Sequence, residues 1–345
     1  MIESIRIGDR LVGPGHSPYV VAEAAINHEG DISIAEKMVY VAQAMGADAI
    51  KFQIHVLDNE MLYEAPKSDN FDEPLYDTLE KTNLSVDEHR RLKKLCEAIG
   101  IDYLCTPFSR DGADILEEIG VSVFKTGSGE LTNLPLQEHI ARKGKAMIVS
   151  TGMCTAEEIA ETVNLVKDVG VPLMLTHCVS AYPTPYKIMN LGMITKYLEL
   201  FEVPVGLSDH SRGIYSALGA VALGACLLEK HFTLDKMQKG PDHPSSIEPY
   251  ELGELAKGAA AIFQSLGSER KIFEEEKQIV EWARESVVSE VDIEKGTVIE
   301  ERMIWVKRPS PGKGVVPAKD FTKIIGKKAN VDIPKDVQIK WNFVE

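Results

Sequence analysis

The chain has 345 residues, 44% hydrophobic and 26% charged, the composition of an ordinary globular protein with room for one large domain and a small one. A net charge of −15 with no Lys/Arg cluster argues against nucleic acid or an anionic membrane as partner, but allows a local basic pocket for a small anion. The N-terminus has no apolar signal-peptide core, no run reaches the roughly 20 apolar residues of a membrane span, and the five scattered cysteines (96, 105, 154, 178, 226) fit a reducing cytoplasm.

Residues 4–12 alternate apolar and polar around Gly8-Asp9, a hairpin signal. From Tyr19 a different rhythm begins, in which short apolar runs alternate with amphipathic helical stretches. Predicted strands cover 19–25, 49–54, 102–106, 123–126, 146–150, 173–178, 203–207 and 226–229. Predicted helices lie between them, with 55–84 left as a long loop and a last helix at about 249–266. Thr155 with Glu158 reads as a capping box, and glycines at 46, 100, 120, 144 and 170 sit where helices should stop. Eight near-continuous apolar strands, each followed by a helix, imply a parallel sheet closed into a (β/α)8 TIM barrel. An open doubly wound sheet is the competing architecture, but the first strand–helix turn lacks G-x-G-x-x-G. The division is a barrel over 1–267, a charged linker over 268–285 and a small β-rich domain over 286–345. Strands of that domain are expected at 286–291, 296–299, 304–307 and 329–333.

Active sites of such barrels form at the C-terminal ends of the strands. Those ends carry Glu23; Lys51 and Gln53; Thr106; Lys125, Ser128 and Glu130; Ser150; His177, Ser180 and Tyr182; Ser208, Asp209 and His210; Glu229, Lys230 and His231. Buried charge is costly unless paired or functional, so so many polar ends on apolar strands favour a polar ligand site. His210 and His231 end neighbouring strands joined by a small-residue helix over 213–224, and two imidazoles so placed can share one metal ion. The plainer alternative is two unconnected histidines. Lys51 and Lys125 could reach out of the barrel mouth to a neighbouring carboxylate, form Schiff bases or clamp an anion; near Ser128 and Ser150, a phosphate or carboxylate pocket fits best. Spacing alone does not assign Glu23 and Glu130 a role as base, acid or orienting group.

These stretches resemble the sialic acid synthase family, which makes N-acetylneuraminate and related nonulosonates. The resemblance rests on Ala22-Glu23-Ala24-Ala25-Ile26-Asn27-His28, Lys51-Phe52-Gln53, Lys125-Thr126-Gly127-Ser128-Gly129-Glu130, Tyr182-Pro183-Thr184-Pro185, Leu207-Ser208-Asp209-His210, Glu229-Lys230-His231-Phe232 and Gly240-Pro241-Asp242-His243, in order along the barrel. The tail around Trp305-Val306-Lys307-Arg308-Pro309 resembles that family's antifreeze-like (SAF) domain. The resemblance implies condensation of phosphoenolpyruvate with an N-acylated mannosamine-type sugar, releasing phosphate. It implies that His210 and His231 hold a divalent metal, most often Mn2+, with Mg2+ or Co2+ as alternatives. Lys51, Lys125, Ser128, Ser150 and Ser208 would surround phosphoenolpyruvate, and Glu23 and Glu130 would act at the reacting carbons. Gln53, Asn70, Tyr182 and Asp242 would contact the sugar, with Arg308 reaching in from the other subunit of a domain-swapped homodimer. The family often has asparagine where Ser180 stands; serine can still donate one hydrogen bond but reaches less far, so the role of position 180 stays open. Two rivals remain: a phosphoenolpyruvate-dependent synthase of shorter 3-deoxy sugar acids, disfavoured by the appended small domain, and a silent barrel that only binds carbohydrate.

Overall fold

The computed structural model describes residues 2–64 and 73–345. The chain divides into two compact units, Met1–Gly267 and Ser268–Glu345. In the first, a hairpin of β1 (Ile5–Ile7) and β2 (Arg10–Val12) precedes eight parallel strands: β3 (Tyr19–Glu23), β4 (Ala49–Ile54), β5 (Asp102–Pro107), β6 (Val123–Thr126), β7 (Ala146–Ser150), β8 (Leu173–Cys178), β9 (Val205–Asp209) and β10 (Leu227–His231). They pair in the order β5-β4-β3-β10-β9-β8-β7-β6, so β10 closes back on β3. β5 and β6 approach along the remaining seam, making a nearly closed TIM barrel. The helices between strands are amphipathic for a local reason. In Val86–Ile99 the buried residues His89, Leu92 and Cys96 recur at helical spacing, and Ser85 and Glu88 cap each other reciprocally. Thr155 and Glu158 do the same for Ala156–Val169, which ends at Gly170 in a left-handed conformation (φ 87°).

Two apolar layers result. The larger lies between strands and helices and includes Val20, Ile50, Phe52, Val149, Leu175 and Leu207. The smaller fills the lower barrel, where Tyr19, Val21, Leu104, Val123, Ile148 and Leu227 meet Ile5, Ile7 and Val12 of the hairpin. The hairpin is therefore a plug at the end opposite the strand tips. The same alternation that buries these residues sends the next inward positions, toward the C-terminal ends, to charged or hydroxyl side chains.

Two expectations are corrected. The stretch 55–84 carries helices at Leu57–Glu60 and Leu75–Thr82, because Leu75 and Leu79 share one helical face and Leu79 is buried. In the second unit, β11 (Ser286–Ser289) pairs antiparallel with β12 (Ile304–Lys307), but 296–299 and 329–333 meet neighbours only through isolated bridges such as Val298↔Lys328 and Ile293↔Ile333. Segments so short bury one or two side chains each and do not need a continuous ladder. Val287, Ile293, Ile299, Ile304, Val316 and Ile339 form this unit's own core, and helix Glu274–Ala283 precedes β11. No helix among the described residues is long and apolar enough to cross a membrane.

Asp209 and Lys230 are corrected too: they point not into the mouth but outward, beneath the helices. They are register partners on β9 and β10, with Lys230 Nζ 3.0 Å from Asp209 Oδ2 and both side chains fully buried. Lys230 also donates to the Ser211 carbonyl, while Asp209 accepts from the Ser211 N–H at 2.8 Å. Lys230→Met leaves the Asp209 charge buried and alone, so it should cost about 3–5 kcal/mol of unfolding free energy. The Asp209→Leu/Lys230→Met double variant should regain most of that in urea denaturation. A single variant as stable as the wild type would refute the account.

Candidate active site

The C-terminal strand ends enclose a cavity of about 690 Å3. Its lining includes Glu23, Lys51, Gln53, Lys125, Ser128, Glu130, Ser150, Tyr182, Ser208, His210, His231 and Asp242, so the structure gathers these sequence-predicted residues into one place. Asn70 lies outside the described residues, and Arg308 directly follows β12 in the second unit. Ser180 lines the cavity as well.

The deepest layer is ionic. Lys51 Nζ lies 2.9 Å from Glu23 Oε2 and 3.6 Å from Glu229 Oε2, and it donates to Thr106 Oγ1 at 3.0 Å. Lys125 Nζ is 3.7 Å from Glu229 Oε1 and donates to Ser150 Oγ at 2.5 Å. Ser208 Oγ donates to Glu229 at 2.8 Å. Glu23, Lys51, Lys125 and Glu229 are each at most 6% exposed. Glu229 thus bridges both lysines, yet no role was assigned to it in the sequence. Counting back two residues from His231 along a strand would have pointed it inward.

Burial and charge push these groups in different directions. Burial acts to lower Lys51, but Glu229 and Glu23 outweigh it and hold the amine charged, above its ordinary range. Lys125 has less carboxylate around it, and burial pulls it down. Burial acts to raise Glu229, but Lys125 and Lys51 overcome it and keep the carboxyl low. Glu23 is raised, first by burial, against the pull of Lys51. Glu130 is pushed up to about 7, chiefly by burial, and its Oε2 is buried without a hydrogen-bond partner. A carboxyl poised near neutrality can give or take a proton at working pH.

At the rim, the His210 and His231 rings pack edge to face with centroids 5.2 Å apart, and Tyr182 stacks on His210 at 4.1 Å. His210 Nδ1 lies 3.1 Å from the Val179 carbonyl, so it donates there and leaves Nε2 with the lone pair. His231 Nδ1 is a buried nitrogen without a hydrogen-bond partner, 3.5 Å from Asp242 Oδ2. Among the described residues no cluster of three or more metal-binding side chains occurs, so any ion here would rest on two imidazoles and keep most positions open. Two further polar residues, His55 and Glu60, also line the cavity.

Fold and site together define a (β/α)8 barrel whose mouth gathers two buried lysines, their glutamate partners and two histidines. Comparison with known proteins makes this narrower. Residues 38–271 match the NeuB family and residues 284–345 the SAF domain, and the chain belongs to the NeuB family. It is 37% identical to N,N'-diacetyllegionaminic acid synthase of Campylobacter jejuni over 93% of this chain and 98% of the relative. It is 35% identical to human N-acetylneuraminate-9-phosphate synthase over 97% of this chain and 95% of the relative. The crystal structure of N-acetylneuraminic acid synthetase from Leptospira borgpetersenii superposes with a TM-score of 0.73 at 33% identity, covering 81% of this chain and 96% of that one. The chain is thus an enzyme, a synthase, and not a silent barrel.

Because Glu130 is raised in the folded state, it contributes stability that is present at low pH and lost as pH rises through about 7. Glu130→Gln should therefore match the wild type in urea midpoint below about pH 4 and exceed it above about pH 8, measured at both ends. Parallel curves at all pH values would contradict the shift.

Proposed function

We propose that the enzyme condenses phosphoenolpyruvate with an N-acylated mannosamine-type sugar, giving a nonulosonic acid and inorganic phosphate. The observation that carries this is the pairing, at one barrel mouth, of two buried lysines bridged by Glu229 with two adjacent histidines. In this reading Lys51, Lys125, Ser128, Ser150 and Ser208 bind the phosphate and carboxylate of phosphoenolpyruvate. Gln53, Tyr182 and Asp242 hold the sugar, together with Asn70 and with Arg308 of the other subunit in a domain-swapped homodimer.

Carbon 3 of phosphoenolpyruvate attacks the acceptor aldehyde, the carbonyl π pair moves to oxygen, and positive character develops at the phosphate-bearing carbon. Glu23, buried beside Lys51, aligns the water that captures that carbon. Glu130 protonates the nascent alkoxide and is placed to recover a proton afterwards. The tetrahedral adduct then collapses to the ketone with loss of phosphate, and the two lysines stabilise the departing charge. His210 and His231 are the residues that would hold a divalent metal, Mn2+ first and Mg2+ or Co2+ as alternatives, which supplies Lewis-acid polarisation of the aldehyde. The free thiols and acidic surface agree with a cytoplasmic enzyme.

A phosphate-release screen with phosphoenolpyruvate and Mn2+ should give turnover with at least one of N-acetylmannosamine, its 6-phosphate and a diacetamido-hexose. Silence with all three would overturn the reaction. His210→Ala and His231→Ala should each lose turnover with an unchanged melting curve, and activity that survives EDTA would remove the metal. Mixing inactive Arg308→Ala with inactive Glu23→Ala subunits should restore part of the activity. Demonstrated subunit exchange without rescue would count against action in trans.

A further inference from the structure

His55 is buried at 6% exposure, lying flat against Phe108 with ring centroids 4.6 Å apart. Its Nδ1 faces the Glu60 carboxylate at 2.8 and 3.0 Å. Its Nε2 lies 3.3 Å from Gln53 Oε1, and Gln53 Nε2 donates to Glu23 Oε1 at 3.1 Å. The directions in this chain follow from Glu23 acting as an ionised carboxylate beside Lys51. A carboxylate of Glu23 accepts, so the Gln53 amide must turn its NH2 that way and its oxygen toward His55. As the imidazolium partner of Glu60, His55 then donates from Nε2 to that oxygen and from Nδ1 to the Glu60 carboxylate.

We propose that His55 is a positioning residue: anchored by Glu60 and clamped by Phe108, it fixes the Gln53 amide, and through it the carboxylate of Glu23. The inference rests on the reading of Gln53 and Glu23 given above. Without the His55 donor, the Gln53 amide is free to rotate or flip. The nitrogen that Glu23 and the sugar both depend on is then no longer held in place.

Chemistry at two atoms separates this from simple packing. A glutamine at position 55 can present its amide nitrogen near the Nε2 position, whereas an asparagine presents it near the Nδ1 position. His55→Phe keeps the stack and loses both donors. His55→Phe and His55→Asn should lower kcat about 10–100-fold and raise the acceptor KM, as outer-layer partners of an active site commonly do. The calorimetric affinity for phosphoenolpyruvate should stay within about twofold of wild type. His55→Gln should recover a large part of the loss. In a double-mutant cycle, His55→Phe should add nothing to Gln53→Ala. Glu60 is left intact because its charge also raises Glu130.

Additive losses, or equal rescue by asparagine and glutamine, would overturn the proposal. If His55→Phe does not fold, the asparagine–glutamine contrast decides alone. A wild type that releases no phosphate would sink the reaction but not this arrangement, which has its own readout in 15N-histidine NMR. His55 should show two protected ring N–H signals, and Gln53→Leu should remove one; a single signal in wild type would refute the donor pair.

Discussion

Residues of β9 and β10 alternate between the barrel interior and the layer beneath the helices, and the register between the strands sets Glu229 level with Ser208 and Lys230 level with Asp209. Ser208, His210, Glu229 and His231 then face the mouth, while Asp209 and Lys230 pair underneath it. A slip of one residue would exchange the two sets and put a dry ion pair where the histidines stand. Gly206 lets the two strands lie close, since a Cβ there would meet the Leu227 carbonyl at 2.7 Å. The Ser211 turn, tied to both members of the pair, holds the end of β9 where His210 leaves it.

Above the apolar plug of the hairpin, the interior changes from hydrocarbon to charge within two residues on β3, β4, β6 and β10. Two carboxylates and two ammonium groups sit there nearly out of water, an arrangement that stabilises a fold poorly compared with apolar packing. Its value is preorganisation. The charges are already desolvated and oriented, so a polar ligand would meet fixed charges and little reorganisation would remain. Unequal surroundings then divide the labour: Glu229 is held ionised between the lysines, whereas Glu130, farther from them, stays near neutrality.

The barrel was legible because strands buried on both faces read as apolar runs and their helices as amphipathic stretches with caps. Strand limits at 49–54, 123–126, 146–150 and 173–178 coincide with the structure, where apolar runs end abruptly. The C-terminal limits of β9 and β10 were set two residues early, since polar Ser208, Asp209, Lys230 and His231 look like loop residues until a closed barrel buries them. The small strands of the tail were overread because alternation over four residues does not distinguish a ladder from an isolated bridge.

Residue types at the strand ends, and the order in which they come, were determined by the sequence alone: lysines, carboxylates and two histidines at positions that only a barrel mouth makes neighbours. What tertiary structure decided is which of them face one another. Glu229 became the bridge between Lys51 and Lys125, Asp209 and Lys230 turned away from the mouth, and His55 joined the site through Gln53. The reason is geometric. A strand's period of two is visible in sequence, but register, barrel closure and the direction of each amide are set by packing between segments far apart in the chain.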